Sequence, residues 1–200
     1  MLNFNKQVIM ANNKYCGTAA DYQPVSEDQS RVVISYGLKE IGEGKAEWYQ
    51  LDFYKKQGKP SFDAAKKAIL ADINARTDAK IISGFMWTPE GGDPVPVWLS
   101  EENQRNFSEA QRIAASMPQA ILPVTFKLGE QPDGTPIYHT FETAEELTAF
   151  YLQAVAYINA TLAEGWQEKD SIDWTPYAEA LQPVTEKTEE GGTKKTTRKK

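Results

Sequence analysis

Apolar positions along the chain recur at two spacings, near two residues in short runs and near 3.6 in longer ones. Residues 31–38 (RVVISYGL) and 45–55 (KAEWYQLDFYK) are crowded with β-branched and aromatic side chains. With the Gly-containing turn at 41–44 between them, they predict a β-hairpin. Trp48, Leu51 and Phe53 break strict alternation, so the second strand is expected to bulge or to be buried on both sides. Gly58-Lys59-Pro60 ends the hairpin. Ser61 then offers an N-cap and Asp63 favours the positive end of a helix. Ala65, Ala68, Ile69, Asp72 and Ile73 follow helical spacing, which predicts a helix running to about residues 74–76.

The same rhythm is predicted twice more. Residues 80–88 (KIISGFMWT) read as the strongest strand and 95–99 (VPVWL) as its return, across a turn rich in Pro and Gly at 89–94. Pro96 lacks a ladder donor, so the return strand is expected at an edge. Ser100 caps a helix with Phe107, Ala110, Ile113 and Ala114 on its apolar stripe, closed by Pro118. Residues 121–129 and 135–141 form a third hairpin across Pro132-Asp133-Gly134, where Pro presets one dihedral and Gly accepts a positive φ. Thr143 and Glu146 make a capping box before Leu147, Phe150, Tyr151, Ala154, Val155, Ile158 and Leu162, a helix expected to end near Gly165. Trp166 and Trp174 bracket a short polar segment whose ends are expected to pin the chain back.

These elements predict an α+β fold: an antiparallel sheet of β-hairpins alternating with helices, in ββα-ββα-ββα order, with the helices mainly on one face. The divisions expected are a polar N-terminal arm over 1–30, a hairpin over 31–60, a compact α+β domain over 61–181 and a disordered, basic-ended tail over 182–200. Translation is consistent with a start at Met1 or at Met10. The first residues lack the charged lead and apolar run of a signal peptide, and no apolar stretch approaches the ~18 residues of a membrane span. The single cysteine, Cys16, excludes an internal disulfide.

The net charge of −6 is uneven. Five of the 22 basic residues lie in the last seven positions, so the chain before them sets 17 basic against 28 acidic residues, a balance of −11. That field argues against a nucleic-acid binder acting through its folded part. Contact with nucleic acid is expected only through the tail, at Lys194, Lys195, Arg198, Lys199 and Lys200.

Candidate chemistry is sparse. Cys16 lies in the polar arm and His139 in a predicted strand, with nothing to orient them as a nucleophile and base. One His and one Cys do not make a zinc site. Asp93 with Glu90 and Asp133 with Glu130 are explained by turns, and Glu101, Glu102, Glu145 and Glu146 by the helix dipole. Gly91-Gly92 lacks the Lys-Ser/Thr of a phosphate loop. No catalytic residue, cofactor or metal is therefore expected, and the chain is not read as an enzyme. The candidates left are for interaction: Val95, Val97 and Trp98 on the edge strand, Trp166 and Trp174, and the basic tail.

One stretch has a wider likeness. Ile73-Asn74, residues 77–87 (TDAKIISGFMW), 97–100 (VWLS), Asn103-Gln104, 122–127 (LPVTFK) and Tyr157-Ile158-Asn159 resemble a domain of unknown function found in phages and prophages of gut bacteria. The resemblance covers roughly residues 66–174. Such domains often sit near tail or tail-fibre modules, which implies a virion structural or assembly protein acting by protein–protein contact. Its partners would be other virion proteins or a second copy in a homo-oligomer, and its place the virion or the host cytoplasm. The alternative is a regulatory or host-takeover binding protein whose acidic body occupies a basic partner, with the tail touching nucleic acid.

Overall fold

The computed structural model describes residues 14–182. Its first unit is a four-stranded antiparallel sheet in the order β1-β4-β3-β2, with β1 at Lys14–Gly17, β2 at Val25–Glu27, β3 at Arg31–Gly42 and β4 at Lys45–Tyr54. The expected central hairpin is β3–β4. Both edge strands come from the segment read as a polar arm, and both are short, which limits the unpaired backbone they present. The bulge expected in the second strand lies instead in β3, which carries the extra residue where the register slips between Tyr36 and Lys39 and again near the turn. Gly37 takes a φ of 70° at the first slip, a value that favours glycine.

Helix α1, Phe62–Ser83, begins as expected, with Ser61 Oγ accepting from the Ala64 amide. It does not stop at 74–76. The apolar spacing continues through Ile81, and the helix ends where Gly84 turns with a φ of 78°. The strand expected over 80–88 is thereby cut to β5, Phe85–Trp87, paired with β6, Val95–Val97. A side chain on Gly84 would run into the Val97 carbonyl, whose carbon lies 2.7 Å from the Cβ position. Helix α2, Glu101–Ser116, is capped by Ser100 Oγ, and the third hairpin pairs β7, Val124–Glu130, with β8, Pro136–Phe141.

Helix α3, Ala144–Asp170, opens on Thr143, whose hydroxyl accepts from the Glu146 amide. It runs straight past Gly165. That glycine is buried against Thr77 of α1, so it serves the close approach of two helices and not a stop. Helix α4, Thr175–Ala180, follows.

The single sheet expected from three hairpins is corrected: among the described residues three separate antiparallel sheets are present, of four, two and two strands. The second and third hairpins lie side by side, yet only the Trp98 amide reaches across, to the Leu128 carbonyl at 2.8 Å. Pro96 has no amide to give to a ladder, and a side chain at Gly129 would meet its carbonyl oxygen at 2.6 Å, so glycine there lets the two hairpins approach.

Two cores result. In one, Val32, Ile34, Tyr36, Leu51 and Phe53 of the sheet meet Ala65, Ile69 and Ile73 of α1 and, from the far end of the chain, Tyr177 and Leu181. In the other, Trp87, Val97, Phe107, Leu128, Phe141 and Phe150 join the two hairpins to α2 and α3. The division drawn at residue 60 therefore falls across packing that is continuous between sheet and α1.

Candidate functional site

A recess of about 710 Å³ opens where the β3 bulge faces the crossing of α1 and α3. Arg76, which lines it, is bonded to a carboxylate in an unusual position behind the lining. Asp72 sits among the apolar residues of α1 and is only 7% exposed. Burying a lone carboxylate is costly, so its partners decide whether the site is stable. The Tyr36 hydroxyl donates to Asp72 Oδ2, and Arg76 Nε, one turn along α1, donates to the same oxygen at 3.0 Å. The other two guanidinium nitrogens of Arg76 donate to the Glu168 carboxylate of α3 at 2.6 and 3.3 Å. The guanidinium carbon also lies 3.7 Å from the centroid of the Tyr49 ring, itself stacked on Tyr36.

Sheet, α1 and α3 are thus tied through one cation. Burial, and then the hydrogen bond to Asp72, push the Tyr36 phenol far above its ordinary value. Burial alone would lower Arg76, but its bonds to Glu168 and Tyr36 outweigh it and the guanidinium is held charged. Beside this network the Tyr177 hydroxyl donates to the Ser35 carbonyl at 2.6 Å and lies 3.2 Å from the Tyr22 hydroxyl. Around the rim, Lys14 pairs with Glu47 at 2.7 Å and Lys80 with Glu164. Lys14, Arg76 and Lys80 are each paired with a carboxylate around the recess, and the buried part of this arrangement acts as a brace.

His139 lies in β8, 2.8 Å from Glu146 at the start of α3 and edge-on to Trp87 and Phe141. Cys16 is in β1 of the other sheet. Among the described residues, no group of three or more His, Cys, Asp or Glu could hold a metal ion, and no helix is long and apolar enough to cross a membrane.

The interaction candidates part company. Val97 points into the core and is fully buried, whereas Val95 is half-buried. Trp98 is 39% exposed, with Lys127 Nζ 5.5 Å from the centroid of its ring. Pairing builds a wider patch than the sequence indicated. Met86 stands opposite Pro96 and Lys127 opposite Tyr138, all on the strand faces turned away from Trp87, Val97 and Phe141. Met86 is 60% and Tyr138 63% exposed. Trp166 is exposed on α3. Trp174 instead docks against Phe62 and Tyr177, with Lys66 over its ring. Lys194, Lys195, Arg198, Lys199 and Lys200 lie outside the described residues.

Sequence reasoning missed the brace, although a signal was present: an acid on an apolar helix face, with an arginine four residues later, requires a buried partner network. The family model DUF4376, described as a domain of unknown function, matches residues 64–187. No curated protein and no solved structure matches the chain.

Proposed function

The chain belongs to the DUF4376 family, a domain of unknown function, and from that premise we propose that it is a phage- or prophage-encoded virion structural or assembly protein, tail- or fibre-associated, acting through protein–protein contact. The observation that carries this reading is the exposed face of Met86, Trp98, Lys127 and Tyr138. Aromatic and methionine side chains concentrate at interfaces, where they supply large contact area at low entropic cost. Arg76 and Lys80 of the recess, by contrast, are engaged with carboxylates, which favours a building role over a reaction. The tail context comes from the resemblance of residues 66–174 to phage and prophage domains.

The test is mass spectrometry of purified virions from a culture producing this chain. The parent is expected in the particle, and the Trp98→Ala/Tyr138→Ala variant, still folded by circular dichroism, is expected to be depleted from it. Absence of the parent from particles, with recovery on a host protein, would overturn this reading in favour of the regulatory alternative.

A further inference from the structure

The recess over Arg76 is, at about 710 Å³, of the size of small-molecule sites, and its lining restricts what it could take. Leu38 is the one aliphatic side chain among the described residues that line it; charged, hydroxyl and amide groups, two glycines and the Tyr49 ring make up the rest. An apolar occupant would strip water from those groups and return no hydrogen bonds. A polar occupant replaces the water it displaces.

Charge narrows the class further. Lys14, Lys39, Arg76 and Lys80 line the recess with Glu47, Glu164 and Glu168, four cations against three carboxylates. Over the chain before its last seven residues the balance is reversed, with 17 basic against 28 acidic groups. Three of the cations are paired: Lys14 with Glu47, Arg76 with Glu168 and Lys80 with Glu164. Lys39 is left over. It stands opposite Glu47 in the β3–β4 ladder, but that carboxylate is 2.7 Å from Lys14, and among the described residues no ion pair engages Lys39. An added acid group there gains an ammonium partner without displacing a carboxylate from one.

Thr161 supplies an independent observation. It lies on α3 one turn before Gly165, lines the recess and is only 3% exposed. Thr77, across the helix crossing, donates its hydroxyl to the Ile73 carbonyl, whereas the Thr161 hydroxyl has no hydrogen-bond partner among the described residues. A polar group so deeply buried is satisfied from the space it opens on, by solvent or by a ligand.

We propose that the recess binds a small organic anion, with its acid group on Lys39 and an oxygen of its polar body on Thr161. The site shares no residue with the face of Met86, Trp98, Lys127 and Tyr138, so this inference goes beyond the proposed contact role and stands or falls apart from it. The lining comes from β1, β3, β4, α1 and α3. A bound anion therefore joins the sheet to the two helices that the Arg76 brace already ties. One charge-assisted contact and one neutral hydrogen bond place the affinity for a simple probe at roughly 0.1–10 mM.

The probes are inorganic pyrophosphate, citrate and neutral sorbitol, each titrated to about 50 mM at constant ionic strength into the isotope-labelled full chain and followed by its amide resonances. The amides of Gly37, Lys39, Thr161 and Gly165 are expected to shift to saturation with at least one of the two anions. Lys39→Gln, at an exposed position, and Thr161→Val are each expected to weaken that binding at least about 3-fold. Tighter binding of pyrophosphate assigns the site to phosphate esters or anhydrides, and tighter binding of citrate to polycarboxylates. No saturable shift at these amides overturns the proposal, as does an equal response to sorbitol, or a Kd that Lys39→Gln or a folded Thr161→Val leaves unchanged. Shifts confined to residues 194–200 make the tail the anion site and overturn the recess. If Thr161→Val does not fold, Lys39→Gln decides.

Discussion

Substituting Gly165 by Ala adds one methyl group at the crossing of α1 and α3, and two effects compete. Ala favours a helix interior over Gly by about 1 kcal/mol. Against this, the new carbon would sit well inside contact distance of Thr77 Oγ1, with Cγ2 at 3.2 Å and Cβ at 3.4 Å. Thr77 cannot turn aside freely, because its hydroxyl donates to the Ile73 carbonyl at 2.8 Å and its Cβ is itself in contact. Overpacking of this kind costs about 1–3 kcal/mol, so the net expectation is a loss of up to about 2 kcal/mol. For a chain of this size the upper end of that loss lowers Tm by roughly 4–8 °C. In a Thr77→Ala background both γ atoms are gone and only an ordinary Cβ contact is left. There the same Gly165→Ala change should be neutral or stabilising by up to about 1 kcal/mol. Urea unfolding of the four proteins at constant m-value closes the cycle, with an expected coupling of at least about 1 kcal/mol. If Gly165→Ala raises the midpoint equally in both backgrounds, the two helices are not held at contact by this glycine and the reasoning fails.

Two further outcomes follow from the brace. Arg76→Met leaves the buried Asp72 carboxylate with Tyr36 as its remaining partner, and should lower stability by about 2–4 kcal/mol in urea unfolding; a loss under about 0.5 kcal/mol would mean that Asp72 is solvated. Tyr36 and Tyr177 are both raised above the ordinary phenol value near 10, chiefly by burial, so above that pH the folded chain keeps protons that the unfolded chain releases. Their contribution is complete below about pH 10 and is lost as pH rises beyond it; thermal melts between pH 8 and 11.5 should therefore show a shallower decline for Tyr36→Phe and Tyr177→Phe than for the parent, and parallel curves would refute the assignment.

What could be read from the sequence was local. Ser61, Ser100 and Thr143 each cap the expected helix, because a cap depends on residues three positions apart. The β3–β4 hairpin was legible for the same reason. Errors arose where a residue answered to a distant partner. Gly165 has the form of a helix terminator, but its role is set by Thr77 on another helix. Residues 80–83 are β-branched enough for a strand, yet the helical spacing through Ile81 and the turn at Gly84 claim them for α1. The three hairpins promised one sheet because pairing propensity says nothing of which edges meet, and the second and third are joined by the Trp98 amide rather than by a ladder. Of the exposed patch, Trp98 was visible as an aromatic on an edge strand, whereas Met86, Lys127 and Tyr138 join it only through ladder register.

The hydrogen bond from Tyr177 to the Ser35 carbonyl joins positions 142 residues apart, and this has a consequence for the order of synthesis. Translation at ~5–20 residues per second separates the two by about 7–28 s. During that interval the sheet and α1 emerge without the aromatic wedge that closes their core, while the hairpins that pack on α3 are completed. Deleting α4 should therefore resemble stalling the ribosome before its last segment: the remainder is present, but the side of the first core that α4 would cover is left open to chaperones, proteases and its own neighbours.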